Sequence, residues 1–157
     1  MSTYLVTGGA GFIGSALVRE LLRRGERVRV VDNFQTGRRE NVAEVLPQIE
    51  FFEVDITDLD RLRPAFDGVD YVLHQAALHS VPRSVDNPLA SNRVNVEGTL
   101  NALVAARDAR VRRVVYASSS SAYGDSPTLP KEASMPANLV SPYAVSKTAP
   151  DDGRGEK

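Results

Sequence analysis

Tyr143 and Lys147 stand four residues apart, so on a helix both side chains face the same way. An ammonium beside a phenol favours the phenolate, which makes Tyr143 a candidate general base toward a hydroxyl. Taken alone, the pair also reads as two neighbours on a surface helix. A second cluster lies near the start of the chain, where Thr7-Gly8-Gly9-Ala10-Gly11-Phe12-Ile13-Gly14 separates an apolar run from a helical period. Gly8 allows a tight turn, Gly11 lets a pyrophosphate approach the backbone, and Gly14 permits close packing of helix on sheet. The helix start then offers amide donors and the positive end of its dipole to phosphate. A purely structural turn is the other reading of the glycines. Asp32 follows Gly14 by eighteen residues, where a carboxylate accepts hydrogen bonds from adenosine ribose hydroxyls and repels a 2′-phosphate. NAD is therefore favoured over NADP. The other reading of Asp32 is that it opens a turn with Asn33. Arg38 and Arg39 lie beyond it and read as solvated loop charges.

These groups need a scaffold, and the pattern supplies one by alternating short β-branched runs with helical periods. Strands are predicted at Tyr4-Leu5-Val6, Val28 to Val31, Ile49 to Val54, Tyr71-Val72-Leu73 and Arg113 to Ala117. Between them come a helix from Phe12 to Gly25 with Ile13, Leu17 and Leu21 on its apolar stripe, and short helices at Glu40 to Leu46 and Leu59 to Phe66. A long helix follows at Val94 to Ala106. Gly124 to Pro142 carries several prolines and reads as an irregular loop. Strands alternating with helices imply parallel pairing through right-handed crossovers, hence a doubly wound parallel α/β sheet.

Composition narrows the function. The 157 residues hold 19 Lys+Arg against 20 Asp+Glu, a net charge of -1, which argues against a nucleic-acid binder working through bulk positive charge. Without cysteine there are no disulfides, thiolate chemistry or Cys-ligated metals, and a cytoplasmic setting fits best. His74 and His79, the two histidines, have no carboxylate at ligand spacing, so no metal site is expected. No basic leader and no long apolar segment is present, so neither a signal peptide nor a membrane span is expected.

Seven segments in order resemble the extended short-chain dehydrogenase/reductases, and among them the nucleotide-sugar 4-epimerases. They are Thr7 to Gly14, Asp32-Asn33, Val54-Asp55-Ile56, His74-Gln75-Ala76-Ala77, Asn95-Val96-Glu97-Gly98-Thr99, Ser118 to Gly124 and Ser141-Pro142-Tyr143-Ala144-Val145-Ser146-Lys147. The resemblance implies a Rossmann sheet with NAD held by Gly8, Gly11, Phe12, Ile13, Gly14, Asp32 and Asn33. Asp55 and Ile56 would hold the adenine, and Gln75, Ala76 and Ala77 would line the cofactor after the fourth strand. Asn95 would support the active-site helix, and with Tyr143 and Lys147 it completes the cofactor-binding set. Ser119, Tyr143 and Lys147 would be catalytic, with Ser119 bonding the substrate oxygen beside the tyrosine. A nucleotide sugar, UDP-linked by this resemblance, would meet Ser80, Val81, Arg83, Ser119 and Ser120. The loop Leu78 to Val85 looks most like epimerases of UDP-N-acetylhexosamines or UDP-hexuronic acids. Sugar-nucleotide 4,6-dehydratases of the superfamily carry an Asp-Glu pair where this chain has Ser120-Ser121, so the resemblance favours epimerisation over elimination.

The family pattern continues beyond Lys147 with a long helix, more strands and a small substrate domain, whereas this sequence closes on the polar run Thr148 to Lys157. The expectation is an incomplete NAD-binding domain over 1–147 and a disordered polar tail over 148–157, the C-terminal part and substrate domain being missing. Pro150 would stop the helix of Tyr143 and Lys147 after one turn and leave the pair poorly anchored. An apolar face left bare would invite association, a homodimer being the form considered. A catalytically inactive NAD-binding module, or a dehydratase or reductase on the same scaffold, stays open as an alternative.

Overall fold

Five parallel strands carry the fold: β1 (Thr3–Thr7), β2 (Arg27–Asp32), β3 (Glu50–Glu53), β4 (Tyr71–His74) and β5 (Arg113–Tyr116). They form one sheet in the order β3-β2-β1-β4-β5. The computed structural model describes residues 1–149. In register, Val6 lies opposite Val30 on one side and Leu73 on the other. Chain order reverses between β1 and β4, and in such sheets the crevice outside the strands' carboxyl ends at that reversal takes the ligand. β1 is almost wholly buried, as expected of a central parallel strand covered on both faces.

Helix α1 (Phe12–Arg23) packs on β1 and β2. Its buried positions are Gly14, Ser15, Val18 and Leu21, whereas Ile13 is 60% exposed, so the predicted stripe of Ile13, Leu17 and Leu21 is turned partly round the helix. The physical reason is the close seating of the first turn, which brings the small residues Gly14 and Ser15 against the loop and swings Ile13 outward. Val18, Leu21, Val28, Val30, Val42 and Val45 then form an apolar cluster on this side. Phe66 and Leu62 are fully buried elsewhere in the core.

Several connections differ from expectation. The helix expected at Glu40 to Leu46 is two 3-10 stretches, Arg39–Asn41 and Ala43–Gln48, the second containing Pro47, which lacks the amide an α-helix would use. The helix expected at Leu59 to Phe66 is a short α2 (Leu59–Leu62) followed by a 3-10 turn Arg63–Phe66 broken by Pro64. The loop read at Leu78 to Val85 instead enters α3 (Val81–Asp86), which α4 (Pro88–Asn92) follows, the two capped by Ser80 and Asn87 and each opened by a proline in its first turn. The expected helix from Val94 begins as a π-helical stretch, Arg93–Glu97, before α5 (Gly98–Asp108).

The chain divides into two compact units, one of Met1–Ala77 with Gly98–Ala117 and the other of Leu78–Glu97 with the residues from Ser118 onward. The first holds the sheet, α1, α2 and α5. In the second, α6 (Pro142–Thr148) is packed by α3, α4, the π-helical stretch and a 3-10 turn at Ser120–Tyr123. The helix thus runs through Thr148, and the tail expected over 148–157 lies from Pro150 onward outside the described residues.

Within the first unit, His74 ties the strand ends together. It is buried, with Nδ1 sharing a 2.7 Å hydrogen bond with Thr7 Oγ1 and Nε2 a 3.1 Å bond with Thr99 Oγ1, and its ring stacks on Tyr116. His74→Leu keeps the bulk and strips two buried hydroxyls of a partner. It is expected to lower stability by about 2–3 kcal/mol at unchanged m-value in urea unfolding.

Candidate active site

The glycine loop begins directly after β1. Gly8 adopts φ +69°, and a side chain there would come within 2.7 Å of the Ala76 backbone nitrogen after β4. A side chain on Gly14 would lie 2.1 Å from the Gly8 carbonyl, so α1 starts as close to the loop as backbone allows. Ala76 N–H donates to Thr7 Oγ1, which fixes the Gln75–Ala76 segment beside Gly8. Phe12 and Ile13 are exposed at the helix start.

Asp32 is buried at the end of β2. One carboxylate oxygen accepts the Ala10 amide at 2.9 Å, and the other accepts the Phe34 amide at 2.8 Å. Gly37 lies so near that a side chain there would reach 2.8 Å from the same carboxylate. The acid is therefore hydrogen-bonded through both oxygens and held beside the glycine loop. Asn33 Nδ2 donates to Asp55 at 2.8 Å, and Asp55 also accepts the Thr57 amide and hydroxyl, so two of the predicted cofactor contacts are joined by a side-chain bond. Ile56 is buried against Gly98, and its carbonyl accepts from Asn101. These are contacts of the first unit. Its glycine cradle, which a Cβ would fill, and its oriented Asp32 carboxylate fit a dinucleotide.

The second unit holds the other predicted residues. Ser141 caps α6 by accepting the Ala144 amide at 3.1 Å, and Pro142 occupies the first turn. Ser84 of α3, fully buried, accepts the Tyr143 amide at 3.0 Å. Asn95, in the π-helical stretch, bonds both the amide and carbonyl of Leu78 and donates to Ser146 Oγ at 2.9 Å. The expected poor anchoring is thus corrected: three side chains from outside the helix body hold it, none of which depends on residues after Thr148. Tyr143 is half-buried and Lys147 buried. Burial pushes the Lys147 ammonium down from its ordinary 10.5 to about 8.

Ser119 caps its own 3-10 turn by accepting from Ser121, beside an exposed Ser120. Ser80 adopts φ +117° and caps α3 by accepting the Arg83 amide, while the Arg83 and Val81 side chains are exposed. Such a strained backbone persists only where the surroundings over-determine it. Sequence reasoning missed Ser84, whose only signal is a serine one turn beyond the Ser80 cap. Among the described residues, no three His, Asp or Glu side chains come together as a metal site. Nor is any helix there long and apolar enough to cross a membrane.

Residues 4–152 match the family model described as the NAD dependent epimerase/dehydratase family. The chain belongs to that family. It is 47% identical over 150 residues to the UDP-glucose 4-epimerase of Mycolicibacterium smegmatis, covering 92% of this chain and 48% of the relative. The UDP-glucose 4-epimerase of Thermus thermophilus, in complex with NAD, superposes with TM-score 0.88 at 43% identity, over 96% of this chain and 49% of that one. The dTDP-glucose 4,6-dehydratase of Streptomyces venezuelae, with NAD bound, gives TM-score 0.89 at 39% identity over 95% and 49%. The chain spans about half the length of the curated relatives it matches. In this family the Rossmann sheet serves NAD, and the cradle from Gly8 to Asp32 is the part of the chain that fits it.

Because its pKa is lowered on folding, Lys147 detracts from stability wherever the unfolded chain carries the proton more readily. The penalty is complete below pH 8, fades between about 8 and 10.5, and is absent above that. Lys147→Met, which removes the buried charge, is therefore expected to gain stability relative to the parent at pH 7. Urea unfolding at rising pH should show that gap closing from pH 8 upward.

Proposed function

We propose that the chain provides the NAD-binding and proton-transferring part of a nucleotide-sugar 4-epimerase acting on a UDP-linked hexose, N-acetylhexosamine or hexuronate. The observation that carries this reading is the anchored Tyr143–Lys147 helix in a chain whose cradle fits NAD. Bound NAD would accept a hydride from C4 of the sugar and return it to the other face. Tyr143 would take the C4 hydroxyl proton as that hydride leaves and give it back on return. Lys147, still a cation at neutral pH, would favour the phenolate and bond the cofactor's ribose. Ser119 would hold the sugar oxygen beside Tyr143. Ser80, Val81 and Arg83 would meet the nucleotide sugar.

Phe12, Ile13, Asn33, Asp55, Ile56, Gln75 and Ala77 complete the cofactor contacts in this reading, and Asn95 serves through Ser146 by holding α6. The net charge of -1 favours no nucleic-acid partner, and the cysteine-free sequence suits a reducing, cytoplasmic setting. Leu100 and Leu103, exposed on α5, support a homodimer. A module that binds NAD without turnover is the second reading.

The test is calorimetric titration of the chain with NAD, followed by incubation with UDP-glucose or UDP-galactose and separation of the two sugars. Interconversion lost by at least about a hundredfold in Tyr143→Phe is the expected outcome. NAD binding with no conversion supports the second reading, and a 4-keto-6-deoxy product would overturn the epimerase assignment.

A further inference from the structure

The loop after Asp32 is clamped to β3 by contacts that the catalytic reading does not use. Phe34, in the left-handed region at φ +56°, stacks on Phe51 with ring centroids 5.2 Å apart and planes within 12°. Arg39 lies over Phe34 as well, its guanidinium carbon 4.1 Å from the ring centroid. Glu53 takes the same guanidinium, with Nη2 at 3.0 and 2.9 Å from its two oxygens. Phe51 and Glu53 are two apart on β3 and so share a face, which lets one strand hold both ends of the clamp. The Phe34 amide is the one that Asp32 accepts, so the clamped segment also helps to orient that carboxylate.

We infer that Glu53 is a positioning residue for cofactor selectivity: by holding the Arg39 guanidinium over Phe34, it withholds a cation from the 2′ position of the ribose beside Asp32. The inference rests on the reading of Gly8 to Asp32 as the adenosine end of the NAD site. Arginine recognises phosphate through its planar fork, and an arginine within a few residues of such an acid is the common means of accepting a 2′-phosphate. In this chain one nitrogen of that fork, Nη2, is already shared between the two Glu53 oxygens. Arg38 has no ion pair among the described residues and is the competing source of a cation, although its amide is bonded to Ala10.

The test uses adenosine probes that need no turnover: binding of 5′-ADP and of 2′,5′-ADP to the full chain, by calorimetry. Wild type should prefer 5′-ADP. The Arg39–Glu53 pair is solvent-exposed, so Glu53→Gln should narrow the ratio of the two dissociation constants by about fivefold. Arg39→Met alone should leave the ratio within about twofold, and Arg39→Met with Glu53→Gln should restore it to the wild-type value. The proposal is overturned if Glu53→Gln leaves the ratio unchanged, or if the narrowing survives in the double variant and so comes from Arg38 or from bulk charge. A wild-type chain that binds neither probe overturns the adenosine-site reading itself, a failure visible before any variant is made.

Discussion

The first unit depends on one close approach: the backbone of Gly14 lies against the Gly8 carbonyl with no room for a Cβ. That contact fixes where α1 begins and so which of its residues face the sheet, which explains why Val18 and Leu21 are buried while Ile13 is not. The same loop presents the Ala10 amide to Asp32, so the position of the carboxylate follows from the turn rather than from β2 alone. A buried polar group needs partners, and two amides both satisfy this one and hold it to a single orientation. Gly37 closes the remaining side. Turn, helix and acid are one mechanical unit.

The second unit solves a different problem, that of holding a helix of seven residues, too short to be stable on its own. Its solution is polar. Ser141 and Ser84 satisfy amides of the first turn, and Asn95 reaches Ser146 in the second. Each bond is worth only about 1 kcal/mol, yet together they fix rotation about the helix axis, which apolar packing of so short an element defines poorly. Rotation is what decides where Tyr143 and Lys147 point. The π-helical stretch carrying Asn95 fits this role, since a widened turn redirects a side chain without ending the helix.

The sheet was legible because buried parallel strands leave short β-branched runs, such as Val28-Arg29-Val30-Val31, whose valines are buried and whose one polar residue pairs with the neighbouring strand. The glycine loop and Asp32 were legible because their spacing follows from geometry common to strand–loop–helix units. What was not legible depended on tertiary partners. The stretch Leu78 to Val85 reads as a loop and 86–92 carries no reading, and the caps Ser80 and Asn87, with prolines in the first turns, make two helices there. Residues 40–46 have helical composition, but Pro47 and the demands of reaching β3 leave 3-10 geometry. Asn95 was singled out on resemblance, while Ser84, equally engaged with α6, carries no pattern that distinguishes it from other serines.

Two ionisable groups show how the fold treats buried charge. Asp32 and Lys147 are both buried, yet their surroundings act in opposite ways. Backbone amides converge on the carboxylate and fix its direction, whereas burial disfavours the charge on the lysine and brings it to about 8. An anchoring group is best kept in one place, and the paired amides do that for the acid. In the proposed role beside Tyr143, a lysine that titrates near neutral pH responds to small changes in its surroundings by shifting its protonation. A nearby anion would raise the Lys147 pKa again, so binding of a negatively charged ligand there and retention of the proton reinforce each other. An anion bound beside Lys147 would offset the cost of burying its charge.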